Sequence, residues 1–459
     1  MAENQITNMQ DLAGKNVLVV GLGRTGQAVA EFLLGRGVNV VGTDSMPPDN
    51  IGGRIKALAQ KGMTLELGGH EEDTFSSADL IVVSPGVPLT IAPLKKAMAR
   101  GVMVIGELEL AARFLSAPMV SVTGTNGKTT VTTLIGAILK AAGKKIFVGG
   151  NIGNPLINLV SDNKDVDLAV VEVSSFQLET VEAFHPRVAA LLNITPDHLD
   201  RHAGFEAYVE AKARMFSRQG PEDTAILNAD DPTVASMRIS AKKLMFSRRG
   251  RVQDGAFIDR DTMMIVKEKR VIREWPLSDI TLVGAHNQEN IMASILTGWA
   301  LGADLDQAFK TAAKFKGLAH RLEFVGVIKG VSYFNDSKGT NPGAVIKSLE
   351  SFTEPVLLIA GGRDKASDFT VLKDLVRERV RLAILMGEAR EKIAGAIKGE
   401  TEIVRVENIT EALKLAVERA EPGEVVLLSP ACASFDQFRD YVHRGEVFTE
   451  FVRREAGYA

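Results

Sequence analysis

Residues 120–130 read Val-Ser-Val-Thr-Gly-Thr-Asn-Gly-Lys-Thr-Thr, and this segment constrains the chain more than any other. A β-branched run ends in a glycine loop, and apolar residues then recur at helical spacing (Val131, Leu134, Ile135, Ile138, Leu139). Strand, glycine loop and helix in that order are what a phosphate cradle requires. Gly124 and Gly127 permit backbone angles that turn consecutive N–H groups inward as an anion nest. The helix start adds unpaired N–H groups and the positive end of its dipole. Lys128 can reach the β- and γ-phosphates of a nucleotide, and the Thr129 hydroxyl can hold Mg²⁺. Thr125, Asn126 and Thr130 complete the segment expected to wrap ATP. The loop is shorter than the standard G-x-x-x-x-G-K form, because the position six before Lys128 is Val122 rather than glycine. An ordinary glycine turn before a helix has no need of Gly-Lys-Thr-Thr at this place.

The chain ahead of this loop reads as a doubly wound unit. Asn16–Val20 is a short apolar strand followed by Gly21-Leu-Gly-Arg-Thr-Gly26, a helix to about Gly35, and a second strand that ends at Asp44. Leu80–Val83 and Val102–Ile105 read as further buried parallel strands. Ser84-Pro-Gly-Val-Pro88 follows the first of these, at a strand end where open α/β sheets bind ligands. A lone G-x-G-x-x-G says only that a diphosphate fits at this helix start. No later segment resembles a hydride-transfer site, which argues against a nicotinamide dehydrogenase.

With 459 residues the chain has room for two to four domains. A net charge of −3 and the lack of a basic stripe give no reason to expect nucleic-acid binding. The first residues lack a basic-then-apolar signal pattern, and no apolar run approaches the roughly 18 residues of a membrane span. Cys432 is the only cysteine, so no disulfide framework or cysteine metal site is expected, and it reads as a small packing residue. A cytoplasmic protein without membrane insertion is the resulting expectation.

The pattern resets near Gly106–Pro118. Strands are expected at Met119–Val122, Leu168–Val173, Val188–Asn193 and Thr224–Leu227, with helices between them. Residues 240–285 turn short, charged and β-like, and read as an antiparallel flap on this central unit. From about Leu318 a third α/β unit begins, with strands at Val356–Ala360, Arg381–Met386, Glu402–Val406 and Val425–Leu428. The expected fold class is α/β with three domains. Residues 1–106 would form a Rossmann-like domain, 107–317 a central P-loop ATPase-like domain, and 318–459 a C-terminal Rossmann-like domain.

Polar residues gather at the strand ends of the central unit. Glu172 closes a buried strand beside the phosphate loop, the position for a further Mg²⁺ ligand. An ordinary core residue is a weak alternative there, since a buried carboxylate is costly unless paired or metal-bound. Asn193-Ile-Thr-Pro-Asp197-His198-Leu-Asp200 also follows a strand, and His198 could ligate a metal or touch a phosphate. Lys212 lies on the helix expected at Phe205–Phe216, and from spacing alone it reads as a solvated helix lysine.

These segments, with Gly-Ala-His286-Asn287-Gln-Glu-Asn290, His320-Arg321 and Asn335-Asp336-Ser337-Lys338-Gly-Thr340-Asn-Pro, run in an order that resembles the Mur ligases. Those are ATP-dependent amide-bond ligases of peptidoglycan synthesis, and the resemblance covers essentially the whole chain. Gly-Leu-Gly-Arg-Thr-Gly, Ser-Pro-Gly-Val-Pro, Gly361-Gly-Arg-Asp-Lys365 and Ser429-Pro-Ala-Cys-Ala-Ser434-Phe-Asp-Gln-Phe are similar to the branch that adds D-glutamate to UDP-N-acetylmuramoyl-L-alanine. The alternative is another Mur-type or a folylpolyglutamate-type amide ligase. Branches adding diaminopimelate or lysine carry an Asn-Pro-Arg-type motif that is missing here, and folylpolyglutamate synthase lacks this N-terminal unit. A non-catalytic nucleotide-binding protein is the remaining rival class, and the intact Lys128, Glu172, His198 and Lys212 argue against it.

The resemblance implies roles for particular residues. Lys128 would bridge phosphates, Thr129 and Glu172 would hold one Mg²⁺, and His198 and Lys212 would help hold a second. Lys212 matches a lysine that is carbamylated by CO₂ in this family. Asn290 would contact adenine, Arg321 the nucleotide phosphates and Asp336 the ribose, with Lys338 beside them. Thr340, Lys365, Ser434, Phe435 and Tyr441 match positions that hold D-glutamate, with Tyr441 standing where phenylalanine is common. Arg24 and Thr25 would meet the UDP diphosphate, Asp44 and Ser45 the uracil, with Ser84 close by and Asn151 on the sugar-phosphate side. A monomer is expected.

Overall fold

A computed structural model describes residues 12–457 apart from 200, 283 and 365. Three sheets follow one another along the chain. The first holds β1 (Asn16–Val20), β2 (Asn39–Asp44), β3 (Thr64–Leu67), β4 (Leu80–Val83) and β5 (Met103–Gly106) in the order β3-β2-β1-β4-β5. Every neighbouring pair is parallel. Strands β1 and β4 are unbroken runs of Val, Leu and Ile, buried after Asn16, as covering on both faces requires. Strand order reverses between β1 and β4, which opens a crevice at their carboxyl ends. The helix Arg24–Leu34 starts at that crevice. It passes so close to β1 that a Cβ at Gly26 would collide with the Gly21 carbonyl oxygen.

The central sheet has nine strands. They are β6 (Met119–Thr123), β7 (Ile146–Gly150), β8 (Leu168–Glu172), β9 (Pro186–Leu191), β10 (Thr224–Asn228), β11 (Lys242–Ser247), β12 (Gly255–Asp259), β13 (Thr262–Lys267) and β14 (Arg270–Pro276). Their order is β14-β13-β12-β11-β10-β9-β6-β8-β7. Strand β6 lies in the interior and every one of its residues is buried. The helix Lys128–Ala141 follows it and shares an apolar core with the helix Ala285–Ala300 through Val131, Leu134, Ile135, Ile291 and Ile295.

The segment expected as a flap is antiparallel at β12–β13–β14, but it does not stand apart. Strand β12 pairs in parallel with β11, so the ladder extends the central sheet, and Ala256, Met263 and Ile265 enter its core. The physical reason is that β11 otherwise leaves an open edge of backbone donors and acceptors beside apolar surface.

The third sheet comprises β15 (Glu323–Ile328), β16 (Val331–Asn335), β17 (Val356–Gly361), β18 (Val380–Met386), β19 (Glu402–Arg405) and β20 (Val425–Leu428). Its order is β15-β16-β20-β17-β18-β19, parallel except for the β15–β16 hairpin. That hairpin and the final helix Tyr441–Glu455 add to the elements expected from sequence. The helix is capped by Asp440, whose carboxylate accepts the His443 N–H at 2.8 Å. The chain is therefore α/β with three successive sheets. Among the described residues no helix is long and apolar enough to cross a membrane.

Two buried glutamates join the first unit to the second. The helix Glu107–Phe114 follows β5 directly. Glu109 accepts the backbone N–H groups of Glu182, Ala183 and Phe184. Glu107 accepts the Ile157 N–H at 2.7 Å, and burial pushes its carboxyl up to about 7.

Candidate active site

The glycine loop between β6 and the helix Lys128–Ala141 is held from below by the segment after β9. The Thr125 N–H donates to the Asn193 carbonyl at 2.9 Å, and the Asn126 N–H to the Asn193 side-chain oxygen at 2.8 Å. The Thr125 hydroxyl meets the Thr195 carbonyl and the Tyr208 hydroxyl, each at 3.1 Å. Gly127 caps the helix with φ +85°, a left-handed conformation that favours glycine. A Cβ there would also collide with the side-chain oxygen of Asn290. The N–H groups of Thr125 and Asn126 are thereby committed to Asn193, so the anion geometry of the loop rests on the N–H groups at the start of the helix Lys128–Ala141.

Two lysines converge on this loop. Lys128 Nζ donates to the carbonyls of Gly124 and Thr125, both at 2.9 Å. Lys212 Nζ donates to the same Gly124 carbonyl at 2.9 Å. The expectation from spacing that Lys212 is a solvated lysine is overturned, since it is 1% exposed. The helix Phe205–Ala213 turns it inward beneath the loop, in contact with the Tyr208 ring. Burial first, and then the neighbouring Lys128, pull its pKa well below the ordinary lysine value, against the opposing charges of Asp197 and Glu172.

Glu172 ends β8 at 2% exposure. Its Oε1 accepts the Asn151 amide at 2.9 Å, while its Oε2 is buried with no hydrogen-bond partner. An orphaned carboxylate oxygen is costly unless a cation or water meets it. Among the described residues no three His, Cys, Asp or Glu side chains gather as a metal cluster. One carboxylate plus a loop hydroxyl suits Mg²⁺, which takes few protein ligands and completes its shell with phosphates and water.

His198 stands in the left-handed region at φ +55°, and its N–H donates to Asp197 Oδ1 at 2.9 Å. Its ring meets Phe176 edge-on, with centroids 5.0 Å apart. His202, which the sequence reading passed over, is buried, stacks on the other side chain of this cluster, Phe176, and contacts Ser175 Oγ at 3.0 Å.

The third unit closes over the loop and leaves a cleft between them. Asn290, Arg321, Asp336 and Lys338 all line it, as do Asn126 and Thr130. The Arg321 guanidinium donates to the Thr129 hydroxyl at 2.6 Å, so the expected phosphate ligand and the expected metal ligand touch across the seam. Asn290 donates its amide to Asn287 at 3.1 Å. The Asp336 carboxylate accepts the Ser348 and Ser429 hydroxyls, both at 2.7 Å, and burial pushes it up to about 6. Much of its capacity therefore serves the cleft wall. Lys338 Nζ lies 3.7 Å above the Tyr441 ring.

Beside this cleft, Thr340 is half-buried, Ser434 is buried and Phe435 is exposed. Lys365 lies outside the described residues. Arg444 was not legible from sequence, yet it is a fully buried guanidinium that ties this region together. It donates to Ser337 Oγ and to the carbonyls of Ser337 and Cys432 at 2.8–3.2 Å. It thereby joins the loop of Asp336 to the loop of Ser434.

In the first sheet, Arg24 and Thr25 begin the helix after β1, and Ser45 is exposed beyond β2. Asp44 and Ser84 are engaged in shaping the glycine loop. The Asp44 carboxylate accepts the N–H groups of Leu22 at 2.6 Å and Met46 at 2.9 Å. The Ser84 hydroxyl donates to the Gly21 carbonyl at 2.7 Å. Arg201, from the His198 loop, donates to the Gly86 carbonyl at 3.1 Å and so bridges the two units.

A phosphate loop on a buried parallel strand, flanked by two further α/β units, defines a P-loop nucleotide-binding protein of three domains. The Mur ligase MurD-like N-terminal domain matches residues 15–106, the Mur ligase middle domain 122–298, and the Mur ligase glutamate ligase domain 320–432. The chain belongs to the Mur ligase family. It is 49% identical over 449 residues to a UDP-N-acetylmuramoylalanine–D-glutamate ligase from Geotalea daltonii, covering 97% of this chain and 99% of that protein. In fold it is similar to a pseudomurein peptide ligase type C from Methanothermus fervidus, with TM-score 0.62, 18% identity, and coverage of 96% and 100% of the two chains. MurF ligase from Thermotoga maritima, solved with ADP, superposes with TM-score 0.60 and 18% identity over 100% of both chains.

Proposed function

We propose that this chain joins D-glutamate to UDP-N-acetylmuramoyl-L-alanine, using ATP and releasing ADP and phosphate, in cytoplasmic peptidoglycan precursor synthesis. The likeness at 49% identity across nearly the whole of a D-glutamate ligase supports the choice of substrates. The observation that carries the chemistry is the convergence of Lys128 and Lys212 on the loop beside the orphaned Glu172 oxygen.

A carboxylate is a poor acyl donor because its leaving group would be oxide. Transfer of the γ-phosphoryl group makes phosphate the leaving group. The alanine carboxylate oxygen attacks the γ-phosphorus and ADP departs. The D-glutamate amine then attacks the acyl carbon, and phosphate leaves from a tetrahedral intermediate.

Two anions must meet in the first step, so positive charge has to be concentrated there. Lys128 would exchange its two loop carbonyls for the β- and γ-phosphate oxygens. Thr129 and Glu172 would hold one Mg²⁺, with His198 and Lys212 beside a second. Bound there, Mg²⁺ supplies neutralisation of the phosphate charge. Lys212 in its carbamylated form would present a carboxylate-like oxygen. Only a neutral amine reacts with CO₂, and the lowered pKa of Lys212 favours that form.

Asn290, Arg321, Asp336 and Lys338 would surround the nucleotide in the cleft. Thr340, Lys365, Ser434, Phe435 and Tyr441 would receive D-glutamate. Arg24, Thr25, Asp44, Ser45, Ser84 and Asn151 would line the path of the UDP-sugar. Closure of the third domain excludes water that would hydrolyse the acyl phosphate. The chain would act as a monomer. Phosphate release with ATP, Mg²⁺ and UDP-N-acetylmuramoyl-L-alanine tests this, scanned across D-glutamate, L-glutamate, L-lysine and diaminopimelate. Release with D-glutamate alone is the expected result. Release with another amino acid alone, or with none, overturns it.

A further inference from the structure

One hydrogen bond reaches from the third domain to the loop that carries His198. Asn341 is the N-cap of the helix Pro342–Leu349. Its side-chain oxygen accepts the Ala344 N–H at 2.8 Å, and its amide nitrogen donates to Asp197 Oδ2 at 3.1 Å. The other oxygen of that carboxylate, Oδ1, accepts the His198 N–H at 2.9 Å. His198 is held there at φ +55°, where a non-glycine residue needs support from its surroundings. One carboxylate thus fastens the backbone of His198 on one side and the third domain on the other.

Neither end of the bridge is loose. Asn341 is 8% exposed, and both of its polar side-chain atoms are used. The next turn of its helix rests on the loop as well, since a Cβ at Gly343 would lie 3.2 Å from the Thr195 hydroxyl. Thr340 precedes Asn341 directly in the chain, so an amino acid held by Thr340 draws on the same turn that grips Asp197.

We infer that Asn341 is a positioning residue that couples amino-acid binding in the third domain to the geometry of His198, through Asp197. The inference deepens the ligase reading and rests on it for the identity of the amino acid. Domain closure without this bond would still cover the cleft, but the Asp197 carboxylate that accepts the His198 N–H would lose its anchor in the third domain.

The test is Asn341→Asp. Aspartate caps a helix as well as asparagine does, so the helix start is preserved. The donor to Asp197 is lost and two carboxylates face each other. The kcat with D-glutamate should fall roughly 10- to 100-fold, the range for losing a hydrogen bond to a charged group, while the KM for ATP stays near wild type. The exchange pair Asp197→Asn with Asn341→Asp places the donor on the other side and keeps a single negative charge. It should recover most of the lost kcat, which a merely structural role for Asn341 would not produce. Amide hydrogen exchange at His198 in the ligand-free protein gives a readout independent of turnover, and should quicken in Asn341→Asp and slow again in the exchange pair. Unchanged exchange and unchanged kcat in Asn341→Asp overturn the inference, as does failure of the exchange pair to restore either. If wild-type protein releases no phosphate with D-glutamate, the ligase reading fails, and the exchange measurement still decides whether Asn341 fastens the His198 loop.

Discussion

The side-chain nitrogens of Lys128 and Lys212 both donate to one carbonyl oxygen, that of Gly124, each at 2.9 Å. Two ammonium groups sharing one acceptor repel each other, and Lys212 is the buried partner. Its pKa is driven down first by that burial and then by Lys128. In the ligase reading, the same loop would offer Lys128 to phosphate and Lys212 to CO₂, the latter favoured by its lowered pKa.

Replacing Lys212 by alanine should abolish most turnover, by about 100-fold or more, the scale for removing a metal-orienting group. Short carboxylic acids such as acetate or propionate should restore part of it by supplying the missing carboxylate oxygen. Assays with and without added acid decide this, and a variant that no acid rescues would contradict the carbamate.

Glu172→Gln should raise the Mg²⁺ concentration needed for half-maximal rate about 10- to 100-fold. Gln keeps an oxygen for the Asn151 amide and replaces the orphaned oxygen by an NH₂ group that cannot ligate a cation. A Mg²⁺ titration of phosphate release checks this, and an unchanged midpoint would remove Glu172 from the metal site.

Arg444→Ala should lower stability by about 1–3 kcal/mol, the scale for leaving buried acceptors without their donor. The Ser337 and Cys432 carbonyls would lose their donor inside the domain. The thermal midpoint should fall, and the KM values for ATP and D-glutamate should rise together, because Arg444 joins the loops proposed to hold both.

Stability should also depend on Glu107 between about pH 4.5 and pH 7. Its carboxyl stands at about 7 in the folded chain against 4.5 in a free one. A raised folded value means that the folded chain holds this proton more tightly. The contribution is full below about pH 4.5 and is lost as pH rises towards about 7. Thermal midpoints at pH 5.5 and 7.5 should therefore differ more in wild type than in Glu107→Gln. Equal differences in the two proteins would contradict the raised value.

The sequence exposed the phosphate loop, Glu172 and the parallel strands because each rests on local signals. These are glycines at fixed spacing, a buried apolar run and a charge at its end. Spacing misreads Lys212 because burial depends on what covers a helix, here the glycine loop at Gly124, 88 residues earlier in the chain. Asn341 and Arg444 were not visible for the same reason, since their partners Asp197, Ser337 and Cys432 are close only after folding. The edge strands β12–β14 were legible as an antiparallel flap on the central unit but not as a continuation of its sheet, because the β11–β12 pairing that joins them exists only after folding.

The most direct test of the account follows the oxygen that the γ-phosphate is said to activate. UDP-N-acetylmuramoyl-L-alanine labelled with ¹⁸O in its alanine carboxylate is turned over with ATP and D-glutamate, and the released phosphate is analysed by mass. Attack of the carboxylate on the γ-phosphorus predicts one labelled oxygen in each phosphate. Phosphate free of label would show that ATP does not activate the carboxylate, and would contradict the account.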